Sequence, residues 1–444
     1  MLLNKLEEIF KLHSQDNALV WQQEIFTYQR LVEEIHRCEI FLTLNNIPQG
    51  GVVLISIDFS PKSIALLIAL LKRRNIVALA SEMSKEISER YAEIAGAQQI
   101  LSVENENITI DCTDYCSSHR LIQQLQSRLH SGIIIFTSGS SGAPKAALHD
   151  TERFLRKFLV KRYTFRTLAL LRIDHIGGLD TLFYTLYNAG TLVIPDKRNP
   201  ETICSIIEKF SVEVLPASPS FLSLLLLGRV YERYNLSSLK YITYGAEYMP
   251  QSLLSKCAEI FPDIKLLQKY GTTETGTLRS KSQNNSSPWV KIGGKEFLTR
   301  VVNGKLEIKS EGLMIGYLNA PSPFTVDGWF QTNDVVEENE GYFRIKGREE
   351  DFINVGGNKV SRNEVEDILL EIDGVYAATV FAQDNFLLGK TLGAKIYSDR
   401  SDRTLLREEI RRFCAHKLEV YKIPSKIIFA DSLDITERMK KTRS

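Results

Sequence analysis

The sequence predicts an α/β protein: a large N-terminal region of two doubly wound α/β subdomains plus a small β-subdomain, followed by a small α+β C-terminal domain. Three observations predict it. Short apolar, β-branched runs alternate with helical patterns as far as Tyr244, the order expected of buried parallel strands and their crossover helices. From about Pro288 the apolar period falls to two and tight-turn signals appear. Beyond Gly347-Arg348 the pattern changes once more, which sets a boundary between regions 1–348 and 349–444.

In chain order, MLLNKLEEIF starts an amphipathic helix whose acidic residues are unlike a signal or transit peptide. Phe26-Thr27-Tyr28 leads into a helical pattern through Leu31, Ile35 and Ile40. Val52 to Ile57 reads as a buried strand, Ser63 to Leu71 as a core helix, Ile76 to Leu79 and Ile133 to Ile135 as further buried strands. The alternation resumes with a strand at Leu168 to Ile173, a helix at Gly178 to Tyr187 and a strand at Thr191 to Ile194. A helix from Pro200 to Phe210 has its proline in the first turn. Val212 to Leu215, Phe221 to Tyr231 and Tyr241 to Tyr244 continue as strand, helix and strand. Arg300 to Val302 and Lys305 to Ile308 flank Asn303-Gly304, a strong hairpin signal, and a second hairpin runs from Asp334 through Asn339-Glu340-Gly341 to Ile345. Ser361 and Glu364 form a capping box for a helix at Val365 to Leu370. Strands at Val375 to Phe381 and Thr391 to Tyr397, a helix at Leu405 to Leu418 and a strand at Ile427 to Phe429 complete the chain.

The 444 residues give room for two or three domains. A formal net charge of +1 argues against a global field for nucleic acid or anionic membranes. The longest apolar run, Ile64 to Leu71, is too short to span a bilayer. The six cysteines are scattered, make no zinc pattern and read as reduced thiols, so a soluble cytoplasmic enzyme is expected.

The densest chemistry lies in Phe136 to Lys145, FTSGSSGAPK. Thr137, Ser138, Gly139, Ser140, Ser141 and Gly142 supply hydroxyls, free backbone and N–H donors after a buried strand, and Lys145 adds a positive charge; the composition suits a polyanion. A Walker loop is excluded, because Gly142 stands three residues before Lys145 and Ala146 follows it. The stretch resembles instead the phosphate loop of the adenylate-forming superfamily of acyl- and aryl-CoA synthetases, adenylation domains and luciferase, with Ala146 in place of the usual glycine.

Further motifs follow in that family's order. Gly245-Ala246-Glu247 resembles the turn that lines adenine. Gln268 to Gly276, QKYGTTETG, resembles its YG[TL]TE[TC] motif, which implies Tyr270 beside adenine, Gly271 and Thr272 at the site, Thr273 near the α-phosphate and Glu274 at magnesium. An aromatic face suits a purine and a carboxylate suits a hard cation. Trp329 to Asp334 resembles W[FY]xTGD, implying Asp334 as acceptor for the ribose hydroxyls, with Asn333 in place of glycine; Arg348, ending a YFxIxGR-like stretch, would be a second ribose contact. Asparagine tolerates the positive φ such a turn needs. The next segment implies a hinge at Glu350 about which a mobile C-terminal domain turns, and Gly356 and Gly357 where pantetheine passes close to the backbone. The final segment implies Lys440, with Lys441 as near competitor, as the lysine aligning carboxylate and α-phosphate; Asp434 and Arg438-Met439 depart from the pattern there. His175, in a short HxxGL form similar to succinylbenzoyl-CoA synthetases, together with Ser218 and Tyr244, would border the acyl pocket.

The resemblance therefore implies ATP, Mg2+ and CoA, and an ATP-dependent ligase acting on a small carboxylic acid. A carrier protein's phosphopantetheine is an alternative acceptor, and a nucleotide-binding relative without catalysis is a third reading, suggested by Asn333 and the altered lysine loop. The acid and the oligomeric state are not legible.

Overall fold

The structure, a computed structural model, describes residues 2–81, 84–138, 144–294, 296–386 and 389–431. Two seven-stranded sheets and a six-stranded sheet build the N-terminal region. The first sheet runs, edge to edge, through Gly316–Tyr317, Pro144–Asp150, Gly132–Ser138, Ile76–Ala80, Val52–Ser56, Gln99–Glu104 and Asn107–Cys112. Its centre is parallel, Val52–Ser56 on Ile76–Ala80 and Ile76–Ala80 on Gly132–Ser138, and these strands read as unbroken apolar runs because both faces are covered. The second sheet runs through Lys265–Gln268, Tyr241–Tyr244, Val214–Ala217, Arg166–Leu168, Thr191–Val193, Asn17–Trp21 and Glu24–Thr27, parallel except at the last pair.

One continuous core joins the two sheets. The helix Pro61–Lys72 lies in it with residues from Ile64 to Leu71 all buried, which is why its sequence is apolar on every side. Ser60 caps it, accepting from the Ser63 amide at 3.1 Å, and Pro61 occupies a first-turn position where no amide donor is needed. The helix Ile176–Tyr187 fills the same core with Leu179, Leu182, Phe183 and Leu186.

The predicted hairpins form. Asn303 and Gly304 have φ of 52° and 74°, and Glu340 and Gly341 of 51° and 75°, the doubly left-handed turn that matches strand twist. Both belong to the antiparallel six-stranded sheet, whose core includes Val290, Leu306, Ile308, Phe330 and Phe343. After residue 349 a separate core gathers Ile353, Val365, Leu369, Val380, Ile396, Ile410 and Ile427 around the sheet of Val375–Asn385, Gly389–Ser398 and Lys426–Ala430. Tyr248 reaches across to it, its hydroxyl donating to Asp367 Oδ2 at 2.6 Å; burial pushes the Asp367 carboxyl up to about 6.

One expectation needs correction, and one strand was missed. The strand expected from Leu168 to Ile173 is only Arg166–Leu168: Ala169 still donates to the Val193 carbonyl, and the buried residues beyond leave the ladder for the turn into the next helix. The N-terminal strand Asn17–Trp21 was not foreseen, because its partner, paired Leu19 to Leu192, lies far along the chain. No helix among the described residues is long and apolar enough to cross a membrane.

Candidate active site

The strand Gly132–Ser138 pairs antiparallel with Pro144–Asp150, Thr137 opposite Lys145 and Ser138 opposite Pro144. The glycine- and serine-rich loop is thus the connection of a hairpin; Gly139, Ser140, Ser141 and Gly142 lie outside the described residues. Its second strand is held from outside: Asn319 Oδ1 accepts from the Ala146 amide at 2.9 Å while Asn319 Nδ2 donates to the Pro144 carbonyl at 2.8 Å. Tyr317 pairs with Ala147 on the adjacent strand, and the Lys145 ammonium lies 5.6 Å from the centre of its ring. The Tyr317 hydroxyl in turn donates to Glu274 Oε1. Lys145, Tyr317 and Glu274, from three separate motifs or none, therefore meet at the hairpin's open end.

Glu274 sits in a small turn. Gly271–Thr272 pairs with Gly276–Thr277, and Thr275 Oγ1 accepts from the Thr272 amide at 2.9 Å. A Cβ on Gly271 would lie 2.4 Å from the Gly276 carbonyl oxygen, so the two arms approach more closely than any side chain permits. The turn is fixed on one side by the Met314 amide, which donates to the Glu274 carbonyl at 2.8 Å, and on the other by His149, whose Nε2 donates to the Thr273 carbonyl at 2.7 Å. His149 is buried, its Nδ1 has no hydrogen-bond partner among the described residues, and desolvation lowers its pKa to about 4.

Beside the turn, the buried Tyr270 hydroxyl donates to Asp334 Oδ2, and Arg348 Nε stands 3.7 Å from Asp334 Oδ1. Burial raises the Asp334 carboxyl, with Tyr270 and Arg348 acting in the opposite direction, and burial together with the Asp334 charge carries the Tyr270 hydroxyl well above its ordinary value. Asn333 holds a φ of 60°, the left-handed conformation expected of its substitution for glycine. Gly245-Ala246-Glu247 borders the same strand ends: a Cβ on Gly245 would meet the Lys269 carbonyl oxygen at 2.4 Å, and Glu247 Oε2 accepts from Ser220 Oγ at 2.7 Å and from its amide at 3.0 Å.

Other expected residues take structural roles in this geometry. His175 caps the helix Ile176–Tyr187, Nδ1 accepting from the Gly177 amide at 3.1 Å, and Ser218 caps Pro219–Leu227 in the same way. Gly356 and Gly357 form the two-residue turn between Phe352–Val355 and Asn358–Ser361, with φ of 55° and 89°, and the space around a Gly357 Cβ is open. A backbone turn, rather than a close neighbour, accounts for glycine there. Lys440 and Lys441 lie outside the described residues. The sequence reading missed Tyr317, Asn319 and His149. The one available signal was His149 itself, an imidazole set on a strand among apolar residues.

A cleft of about 500 Å3, walled by residues including Trp21, Asp58, Phe59, Pro195 and Arg198, lies elsewhere, and none of the motif residues lines it.

Comparison with known proteins now adds to this geometry. A model of the AMP-binding enzyme family matches residues 130–318, and one of the AMP-binding enzyme C-terminal domain matches residues 364–440. Bacitracin synthase 3 of Bacillus licheniformis is 24% identical over 466 residues, covering 95% of this chain and 7% of that protein. The long-chain-fatty-acid–CoA ligase FadD13 of Mycobacterium tuberculosis is 26% identical over 325 residues, 68% of this chain and 64% of that protein. The chain thus spans less than two thirds of either relative. Among solved structures, the o-succinylbenzoate CoA synthetase of Bacillus subtilis with its acyl-adenylate superposes at a TM-score of 0.79 with 21% identity, covering 99% of this chain and 97% of that one, a likeness of fold.

Proposed function

We propose a reaction that proceeds from one premise: the chain belongs to the adenylate-forming superfamily of AMP-binding enzymes. It is an ATP-dependent carboxylate ligase that forms an acyl-adenylate and then a thioester. The observation that carries this is the meeting of Lys145, Tyr317 and Glu274 beside the hydrogen-bonded Tyr270–Asp334 pair, so that phosphate, metal and ribose chemistry share one place.

In the first half-reaction an oxygen of the substrate carboxylate bonds to the α-phosphorus of ATP. The bond from that phosphorus to the bridging oxygen breaks, and pyrophosphate leaves with the electron pair. Lys145 and the loop hydroxyls at Thr137, Ser138, Ser140 and Ser141 offset the charge of the departing pyrophosphate, while Thr273 faces the α-phosphate and Lys440 aligns the reacting oxygens. Asp334 and Arg348 hold the ribose, and Tyr270 with Gly245, Ala246 and Glu247 line the adenine. His149, through the Thr273 carbonyl, and Tyr317, through Glu274, position the turn between them.

The donor set fits magnesium. Glu274 offers one carboxylate, and among the described residues no group of three metal-binding side chains occurs, so the ion would rest on Glu274 and on phosphate oxygens, a common arrangement for this cation. When bound, it supplies positive charge against the phosphates.

In the second half-reaction the region from residue 349 turns about Glu350, and a thiol sulfur bonds to the acyl carbon, losing its proton to solvent, as the bond to AMP breaks and AMP leaves with the electron pair. CoA is the favoured thiol, because the fatty-acid ligase and the structural neighbour are both named for it. A carrier protein's phosphopantetheine is the alternative. Mass detection after incubation with ATP and an acid, offering CoA in one reaction and a phosphopantetheinylated carrier in another, tests this: an acyl-CoA is expected, and acylation of the carrier alone would replace CoA in the proposal. Lys440→Ala should slow adenylate formation about 100-fold or more, by analogy with loss of one charge-stabilising group, and an equal loss in Lys441→Ala instead would move the role to that residue.

A further inference from the structure

The segment that follows the phosphate hairpin grips the turn of Thr273 and Glu274 at both ends. Its strand Pro144–Asp150 supplies His149, whose Nε2 donates to the Thr273 carbonyl at 2.7 Å. The chain then forms the short helix Thr151–Leu155 and the single turn Arg156–Leu159, which supplies Lys157. The Lys157 ammonium donates to the Thr277 carbonyl at 3.0 Å. The two carbonyls held in this way bracket Glu274 along the chain.

Phe154 fills the space between the two grips. Its ring meets the His149 imidazole edge-on at 5.8 Å, and the Lys157 ammonium rests 4.9 Å from its centre and 4.9 Å from that of Phe158. Lys157 also pairs with Asp180 on the helix Ile176–Tyr187, and both side chains are largely withdrawn from water. A hydrogen bond from a charged donor is about twice as strong as a neutral one, so the Thr277 carbonyl is firmly placed. Gly276, beside that carbonyl, has a φ of 66°, and a Cβ there would lie 3.3 Å from the ammonium and 3.6 Å from the Phe154 ring. The pair with Asp180 would by itself satisfy the lysine's charge. The contact with the Thr277 carbonyl is the one that reaches the turn.

We propose that Lys157 is a positioning residue for adenylate formation. It fixes the arm Gly276–Thr277 and, through the pairing of that arm with Gly271–Thr272, sets where Thr273 and Glu274 stand towards the phosphates. His149 holds the other end of the same turn, so one segment ties the phosphate hairpin to the metal-binding carboxylate. This rests on the ligase reading above and adds to it a residue that touches no reactant.

The test follows exchange of labelled pyrophosphate into ATP by the full chain, with the acid that supports the fastest exchange, and divides each rate by the folded fraction read from melting curves. Lys157→Met should lower kcat at least about tenfold, the loss that a misplaced reacting group brings, while KM for ATP stays within about twofold because Tyr270, Asp334 and Arg348 are untouched. Lys157→Arg keeps a charged donor and should recover most of kcat. Gly276→Ala presses on the ammonium from the side of the turn and should give the same split between kcat and KM. Lys161→Met removes an exposed lysine beyond the turn and should change neither constant. A lysine that served stability alone would lower the melting temperature and leave kcat per folded molecule as it was. That result in Lys157→Met and Gly276→Ala overturns the inference, as does a loss that falls on KM for ATP instead of kcat, or a Lys157→Arg protein no better than Lys157→Met; each leaves the ligase reading intact. Should Lys157→Met not fold, Gly276→Ala decides by the same criterion. Absence of exchange by the unaltered chain with every acid overturns the ligase reading and this inference with it.

Discussion

Lys269 and Tyr270 are neighbours in the chain, yet in the proposed ligase they border two differently built halves of one site. On the Tyr270 side the polar groups answer one another: the hydroxyl is given to Asp334, Asp334 faces Arg348, and Asn333 adopts the left-handed turn beside the carboxylate. On the Lys269 side an ion pair of Lys157 with Asp180 lies against the turn, the Lys157 ammonium donating to the Thr277 carbonyl at 3.0 Å. The difference teaches what each half recognises. In the proposed reaction the nucleotide is the constant partner and meets the hydrogen-bonded half, whereas the acid, the partner that varies, meets the other.

The comparison breaks most severely at Asp334. Asp334→Asn keeps the shape but exchanges a charged acceptor for a neutral one, and kcat/KM for ATP should fall about 100-fold, about 3 kcal/mol, with the preference among acids unchanged. A variant that altered acid preference as strongly as ATP use would show that the two halves are not separate.

His149 supports both halves through the Thr273 carbonyl, and its protonation offers a pH test. The folded state holds its pKa at about 4, below the ordinary 6.5, so between these values the unfolded chain binds the extra proton. Its contribution to stability is therefore present above pH 6.5 and is lost as the pH falls towards 4, at most about 3 kcal/mol. Denaturant unfolding followed across that range should show a flatter pH dependence in His149→Gln; an unchanged slope would remove the assignment.

Gly271→Ala strikes the turn that joins the halves. The added Cβ would meet the Gly276 carbonyl at 2.4 Å, and a cost of about 1 to 3 kcal/mol is expected in unfolding, with losses in both ATP and acid use. Asn333→Gly is the smallest change. Glycine adopts the same φ freely, so stability should stay within about 0.5 kcal/mol, and pyrophosphate release should be retained.

The residues proposed for the nucleotide come in short, ordered runs whose chemistry is local, so Tyr270 to Glu274, Asp334 and Arg348 could each be singled out from a recognisable stretch, and the structure brings Tyr270, Asp334 and Arg348 together. The hairpins at Asn303-Gly304 and Glu340-Gly341 were legible for the same reason, since turn geometry is decided by two residues. What was not legible depends on pairing across long separations. Asn17–Trp21 finds Thr191–Val193 only in the folded sheet, and Lys157 and Asp180 come from two helical segments that no spacing rule connects. Tyr317 and Asn319 likewise act through contacts with Glu274 and the Pro144–Asp150 strand rather than within a motif of their own.

The central claim is that these two halves bring ATP and a carboxylate together for adenylation. Exchange of labelled pyrophosphate into ATP measures that step without any thiol, in the presence of magnesium and each of a panel of aliphatic, aromatic and dicarboxylic acids. Acid-dependent exchange, accompanied by an acyl-adenylate of the corresponding mass, is the predicted result; ATP binding with no exchange for any acid would contradict the account and leave a nucleotide-binding protein without ligase chemistry.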